Sequence, residues 1–278
     1  MRTVQPHMRK TSLAHLSLIE SRPDALARIA AEAGFDFADL RLSPATPTDP
    51  AYTASERAAV CRALLPILRD TGLRVWDVEI IRIDGRTRAL DHLPLLEAAA
   101  VLGARRVKVV CDSDDESFAA ATLADLCELA APLRLTIDLE YMVFSGVRSL
   151  RAALDFIHAA RQPNLQLVVD ALHAVRAGDT PAHIAAANPD DLGYVQLCDG
   201  PLAAPVGREA LIQEARTRRL APGEGEFPLH ALLAAMPAQC VVSVEVPLPP
   251  GGDGFAHAQH LLRTTRAVIE RQEQGPAS

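Results

Sequence analysis

The sequence predicts an α/β fold, a (β/α)8 TIM barrel that takes up residues 1–278 as one domain. Short β-rich runs alternate with Ala- and Leu-rich stretches of helical period from one end to the other, the pattern of parallel strands joined by crossover helices. Eight such runs occur in 278 residues, which suits a closed barrel. The segment after the first run, "LIESRPD", has no Gly-rich turn, which disfavours an open doubly wound sheet.

The first expected strand is "TSLAHLSL" (11–18), followed by the helix "PDALARIAAEAG", with Pro at its start and Gly at its end. "FDFADLRL" (35–42) is the second strand, and "ASERAAVCRALLPILRDTG" the helix after it. "LRVWDVEIIRI" (73–83) is the third, with the helix "TRALDHLPLLEAAAVLG". "RRVKVVCD" (105–112) is the fourth, with "SFAAATLADLCELAAP". "LRLTIDLE", "LQLVVD", "GYVQLCD" and "CVVSVEV" complete the eight. The longest connection, residues 201–230, follows the seventh strand and so belongs on the C-terminal face, where barrel active sites are built. The tail "RQEQGPAS", 271–278, is expected to fray.

Composition narrows the function classes. A hydrophobic content of 49% is enough for a large core, and a formal charge of -7 weighs against nucleic acid or an anionic membrane as partner. Five cysteines without a C-x-x-C pair point to reduced thiols rather than a disulfide framework or a zinc site. The N-terminal stretch lacks a long apolar core and a cleavage site, and no run approaches the ~18 apolar residues of a membrane span, so a cytoplasmic protein is expected. "PGEGEF" lacks the Lys and Ser/Thr of a phosphate loop, so nucleotide binding is not expected.

Side chains alternate along a strand, so one parity of each barrel strand points inward. In "LRLTIDLE" the aliphatic Leu135, Ile137 and Leu139 oppose Thr136, Asp138 and Glu140. Asp170 ends the polar side of the sixth strand, Gln196 lies on the side of Tyr194 and Cys198 in the seventh, and Glu245 opposes the valines of the eighth. Glu140, Asp170, Gln196 and Glu245 therefore point inward near the C-terminal ends of four strands. Acids gathered in one barrel mouth repel unless a cation sits between them, and an all-oxygen set suits Mn²⁺ or Mg²⁺.

The order of "LEY", "VVDALH", a polar residue in the seventh strand and "SVEV", with "PGEGEFPL" before the eighth, resembles the xylose-isomerase-like TIM barrels of sugar phosphate isomerases and epimerases. The resemblance implies a divalent cation held by Glu140, Asp170, Gln196 and Glu245, with Glu140 and Glu245 also moving protons and His173 near the substrate hydroxyls. Gln196 departs from the histidine usual in the sugar epimerases. Bacterial 3-dehydroshikimate dehydratases of the same barrel type are similar in using glutamine there, and in "VVDALH" and "RRLAPGEGEF". Against them, "EYMVFSGV" lacks the basic residues such dehydratases carry after the glutamate, and no appended domain is expected.

Further substrate-binding candidates are Lys108, on the inward parity of the fourth strand and able to pair with Asp138; Arg219, with Arg218 beside it, for a carboxylate or phosphate; and Glu79, at the end of the third strand, for a hydroxyl. The expected chemistry is proton removal next to a carbonyl with an enediolate-like intermediate, by a metal-dependent sugar (phosphate) isomerase or epimerase. The alternatives are a lyase acting on 3-dehydroshikimate and a non-catalytic metal- or sugar-binding barrel. The substrate class is a small sugar or hydroxy-keto acid, and a homodimer is the candidate assembly. The acidic charge and the lack of strand-end histidines argue against the apurinic endonuclease branch and its multi-zinc chemistry.

Overall fold

The computed structural model describes residues 8–46, 49 and 51–274, with side chains through 272. Eight parallel strands close into a barrel in chain order: β1 (Thr11–Leu13), β2 (Phe37–Arg41), β3 (Arg74–Ile83), β4 (Arg106–Cys111), β5 (Thr136–Glu140), β6 (Leu165–Asp170), β7 (Leu192–Leu197) and β8 (Val242–Val244). Closure through β1 and β8 leaves no sheet edge. The outer ring consists of α1 (Pro23–Ala33), α2 (Ala54–Thr71), α3 (Leu93–Val101), α4 (Glu116–Ala130), α5 (Leu150–Ala160), α6 (Ala171–Ala177), α7 (Pro181–Ala185), α8 (Arg208–Thr217), α9 (Leu229–Ala235) and α10 (Gly254–Gln274). No helix among the described residues is long and apolar enough to cross a membrane.

The helices start and stop for local reasons. Thr53 and Glu56 form a capping box at the start of α2, and Gly34 and Gly72, both at positive φ, end α1 and α2. Outward-facing strand residues such as Leu139, Val169, Val195 and Val244 are fully buried against this ring. All five cysteines are free and buried.

Several expectations shift. The first strand stops at Leu13, and His15–Leu18 form a 3-10 turn, because His15 and Ser17 bond to neighbouring loops and strands. The third helix begins as a 3-10 turn at Ala89–His92 before α3. Residues 271–274 of the expected fraying tail continue α10, and 275–278 lie outside the described residues. Connection 201–230 carries α8, which brings Arg219 back over the mouth.

Towards the N-terminal ends of the strands the barrel is plugged by polar pairs rather than by aliphatic layers alone. Arg106 donates to Asp138 Oδ1 (2.6 Å) and Gln166 Oε1 (2.8 Å), and its guanidinium lies 5.0 Å from the Trp76 ring. Asp138 is therefore paired with Arg106, not with Lys108 as the strand parity alone suggests. Arg106 stands one inward position below Lys108 on β4, and Lys108 reaches upward instead. The Tyr194 hydroxyl donates to Asp77 across the barrel.

Candidate metal centre

Strand register brings the inward residues together. Asp170, Gln196 and Ser243 stand in one row across β6, β7 and β8, and Glu245 follows one pleat beyond Ser243 with its backbone N–H still bonded to Leu197 O (3.0 Å). Ligand oxygens of Glu140, Asp170 and Glu245 lie within 4.8 Å of one another, and all three residues are buried. Three carboxylates at such distances could hold a divalent cation.

In the structure two side-chain cations sit on these acids. Arg219 Nη1 donates to Asp170 Oδ2 (2.6 Å), and its Nη2 lies 3.0 Å from Glu245 Oε2. Lys108 Nζ lies 4.0 Å from Glu140, 3.9 Å from Glu245 and 3.3 Å from Glu79 Oε1. The repulsion expected among converging acids is thus partly met by protein cations. Burial pushes Lys108 down, but Glu79, Glu140 and Glu245 outweigh it and hold the ammonium well above its usual range.

Gln196 is fully buried among these groups. Its Oε1 accepts from Lys108 Nζ (3.0 Å), and its Nε2 donates to Glu245 Oε1 (3.3 Å). The amide therefore presents its oxygen to a positive charge and its N–H to a negative one.

The remaining candidates divide. His173, at the start of α6, donates its backbone N–H to Asp170 Oδ1 (3.0 Å), and its ring meets Phe144 edge-on at 5.3 Å. Its Nδ1 is buried without a hydrogen-bond partner among the described residues, and burial pushes its pKa down to about 4, so the ring is neutral. Glu79 lies in the middle of β3 rather than at its end. Arg41 donates to it twice (2.7 and 3.2 Å); burial pushes the carboxyl up, but Lys108 and Arg41 reverse this and hold it at about 2. Arg218 is exposed. Burial pushes Glu140 up to about 7, with Lys108 opposing and Glu245 and Asp170 reinforcing the rise.

A cavity of about 510 Å³ opens above the acids and is lined by Lys108, Glu140, His173, Arg219 and Glu245. Arg22, Arg41, Arg82 and Arg216 also line it. These arginines are absent from the expectations above, although Arg41 shares the parity of Asp39 at the end of β2. The same parity rule applied to the early strands finds a second acidic group, Asp39, Asp77 and Glu79. Hydroxyls of Ser12 and Ser243 satisfy Asp39.

The family model described as "Xylose isomerase-like TIM barrel" matches residues 27–265. The chain belongs to that family. A curated relative, 3-dehydroshikimate dehydratase from Pseudomonas aeruginosa, is 28% identical over 280 residues, covering 94% of this chain and 43% of the relative. The chain thus spans less than half the length of that enzyme. A xylose isomerase-like TIM barrel/4-hydroxyphenylpyruvate dioxygenase fusion protein superposes with a TM-score of 0.76 at 22% identity, over 97% of this chain and 45% of the fusion. IOLI protein with a bound zinc atom gives 0.75 at 17% identity, over 94% and 98%. D-Allulose 3-epimerase from Methylomonas sp. gives 0.69 at 16% identity, over 95% and 99%. At these identities the superpositions show the shared barrel and nothing finer.

Proposed function

We propose that this barrel is a divalent-metal-dependent carbon–oxygen lyase acting on a small anionic hydroxy-keto acid of the 3-dehydroshikimate type. One observation carries the reading: Glu140 and Glu245 of the acidic centre line a cavity together with five arginines, Arg22, Arg41, Arg82, Arg216 and Arg219, which outnumber the other acids there, Glu20 and Asp49. An arginine-rich cavity favours a carboxylate-bearing substrate over a neutral sugar. The dehydratase relative, similar over nearly the whole chain, supports the same substrate class.

Glu140, Asp170, Gln196 and Glu245 would hold the cation, an all-oxygen set suited to Mn²⁺ or Mg²⁺. When bound, it supplies Lewis-acid polarisation of the substrate ketone. Arg219 and Lys108, which line the same cavity, would offer their charge to substrate oxygens. Glu140, which lines the cavity, is suited to take the proton from the carbon beside the ketone. The hydroxyl one carbon further leaves with a proton as water. Loss of that one water, followed by enolisation of the ketone, turns the cyclohexene ring into a catechol with no change in oxidant or reductant. His173 Nδ1 is the acceptor for a substrate hydroxyl, since nothing among the described residues uses it.

The experiment is ultraviolet detection of protocatechuate from 3-dehydroshikimate with Mn²⁺-loaded protein. Absence of product at high enzyme concentration rules the reading out. A second reading, isomerase or epimerase, is favoured by Glu140 and Glu245 both lining the cavity, one able to remove a proton and the other to return it. It predicts deuterium wash-in from D₂O into a ketose or hydroxypyruvate, which the lyase reading does not.

A further inference from the structure

A second cavity, of about 520 Å³, adjoins the first, and the two share Arg82, Phe144 and Arg216 in their walls. Its other charged lining is Arg148, Arg208, Asp112 and Asp114. Four guanidiniums against two carboxylates make this a locally positive site in a chain whose formal charge is -7.

Three of the four are held by backbone carbonyls, although Arg148, Arg208 and Arg216 are all exposed. Arg82 donates through Nε to Ala45 O (2.7 Å), Arg148 through Nε to Ser145 O (2.8 Å), and Arg208 through Nη2 to Phe144 O (3.0 Å). Arg82 also pairs with Asp112. For Arg148 and Arg208, these bonds use one nitrogen and leave the others of each fork for a ligand. Arg216 is exposed and has no hydrogen bond or ion pair among the described residues; partial desolvation and Arg82 work against its charge, and Asp49 supports it. The loop beneath is fixed too. Ser145 Oγ lies within hydrogen-bond distance of Met142 O (2.9 Å) and Val147 O (2.7 Å), either of which accepts its one proton, and a Cβ on Gly146 would come within 2.6 Å of Ser113 O. α8, ten residues long, begins at Arg208 with no side chain capping its first turn.

We infer that this cavity is an anion site in its own right, taking a phosphate group. A phosphate presents several acceptor oxygens to converging guanidinium forks, which a single carboxylate cannot use as fully. The site stands independently of the lyase reading, because Arg148 and Arg208 line only this cavity. The phosphate has two sources: the free anion, or the ester end of a small ligand whose other end reaches the acidic centre.

The test is calorimetric titration of the full chain with inorganic phosphate at low ionic strength, repeated with Arg148→Gln/Arg208→Gln and with the charge-retaining Arg148→Lys/Arg208→Lys. Saturable binding that the glutamine pair weakens by about tenfold or more, and the lysine pair weakens less, supports the site. Absence of saturable binding to the wild type, or equal binding by the glutamine pair, overturns it. Circular dichroism and the melting midpoint check that the variants fold, and if the glutamine pair does not fold, the lysine pair decides alone, unchanged affinity counting against the forks. Titration of glycerol 3-phosphate against inorganic phosphate and glycerol separates the sources: tighter binding of glycerol 3-phosphate than of inorganic phosphate marks an ester, and equal or weaker binding marks the free anion.

Discussion

Lys108 Nζ donates to Gln196 Oε1 at 3.0 Å, so the amide oxygen proposed as a metal ligand already faces a positive charge. An oxygen aimed at a cation by the seventh strand keeps that aim if the cation changes. Gln196→Ala removes this donor oxygen while leaving Glu140, Asp170 and Glu245. The expected outcome is a Mn²⁺ affinity lowered by at least about tenfold with little change in secondary structure. Isothermal titration with Mn²⁺ checks it, and unchanged affinity would remove Gln196 from the ligand set.

Lys108 itself gives a second prediction. It is the buried partner of Glu79 and lies near Glu140 and Glu245. Lys108→Met leaves those carboxylates short of a charge, and breaking a buried pair in this way costs about 3–5 kcal/mol. A divalent cation restores positive charge beside two of the three acids. Calorimetric melting with chelator and with Mn²⁺ is expected to show a larger metal-induced stabilisation for Lys108→Met than for the wild type. Equal stabilisation would mean that lysine and metal do not share the acids.

Arg216 lines the first cavity and makes no hydrogen bond or ion pair among the described residues. If the substrate is an anion, Arg216→Ala raises KM by about tenfold while kcat stays within about twofold, because the interaction is the same in ground and transition states. Steady-state kinetics on 3-dehydroshikimate measures the split. A fall in kcat with unchanged KM would instead place the arginine at the reacting atoms.

The alternation of the last four strands makes the barrel and the acidic centre legible, because Glu140, Asp170, Gln196 and Glu245 each sit at one parity of a short, sharply patterned run. Lys108 is legible as an inward residue but not in its partner, since strand parity does not say how far a long side chain climbs along the barrel. Arg82 and Arg216 are not legible as cavity residues at all. Arg82 reaches the cavity because β3 shifts register between Val78 and Ile81, which breaks the alternation set by Asp77 and Glu79, and Arg216 depends on where α8 lands, neither of which leaves a periodic signal. His15 reads as part of a strand, because its hydrophobic neighbours hide the turn that its hydrogen bonds create.

That histidine sets a pH dependence. His15 Nδ1 accepts the backbone N–H of Arg41 (2.9 Å), which places the ring proton on Nε2, donated to Ser21 O (3.0 Å). Burial holds its pKa at about 4, against 6.5 for an ordinary histidine. The unfolded chain therefore takes up a proton below pH 6.5 while the folded protein refuses it until about pH 4. The neutral ring's contribution is fully present above pH 6.5 and is lost as pH falls towards 4, by about 3 kcal/mol in all. His15→Asn keeps an acceptor near Arg41 N and cannot titrate. Urea unfolding at pH 7.5 and pH 4.5 is expected to show a smaller loss for the variant than for the wild type. A parallel loss in both would place the titration elsewhere.

Gly193 ties the barrel floor to the strand that carries Gln196. It sits in β7 beside the Arg106–Asp138 pair, and a Cβ there would collide with Asp138 Oδ1, lie 2.7 Å from Arg106 Nη1 and come within 3.2 Å of Leu167 O. Neither the ion pair nor the β6 backbone can move away cheaply, because Arg106 is also bonded to Gln166 and stacked near Trp76. Gly193→Ala therefore overpacks a buried polar layer, at a cost of about 1–3 kcal/mol, with more if the pair breaks. Any shift of β7 also moves Gln196, three residues on, relative to Asp170 and Glu245. The expected result is a lower urea midpoint together with weaker Mn²⁺ binding. A Gly193→Ala protein with wild-type stability would show that the floor yields and that the site above it does not depend on this close approach.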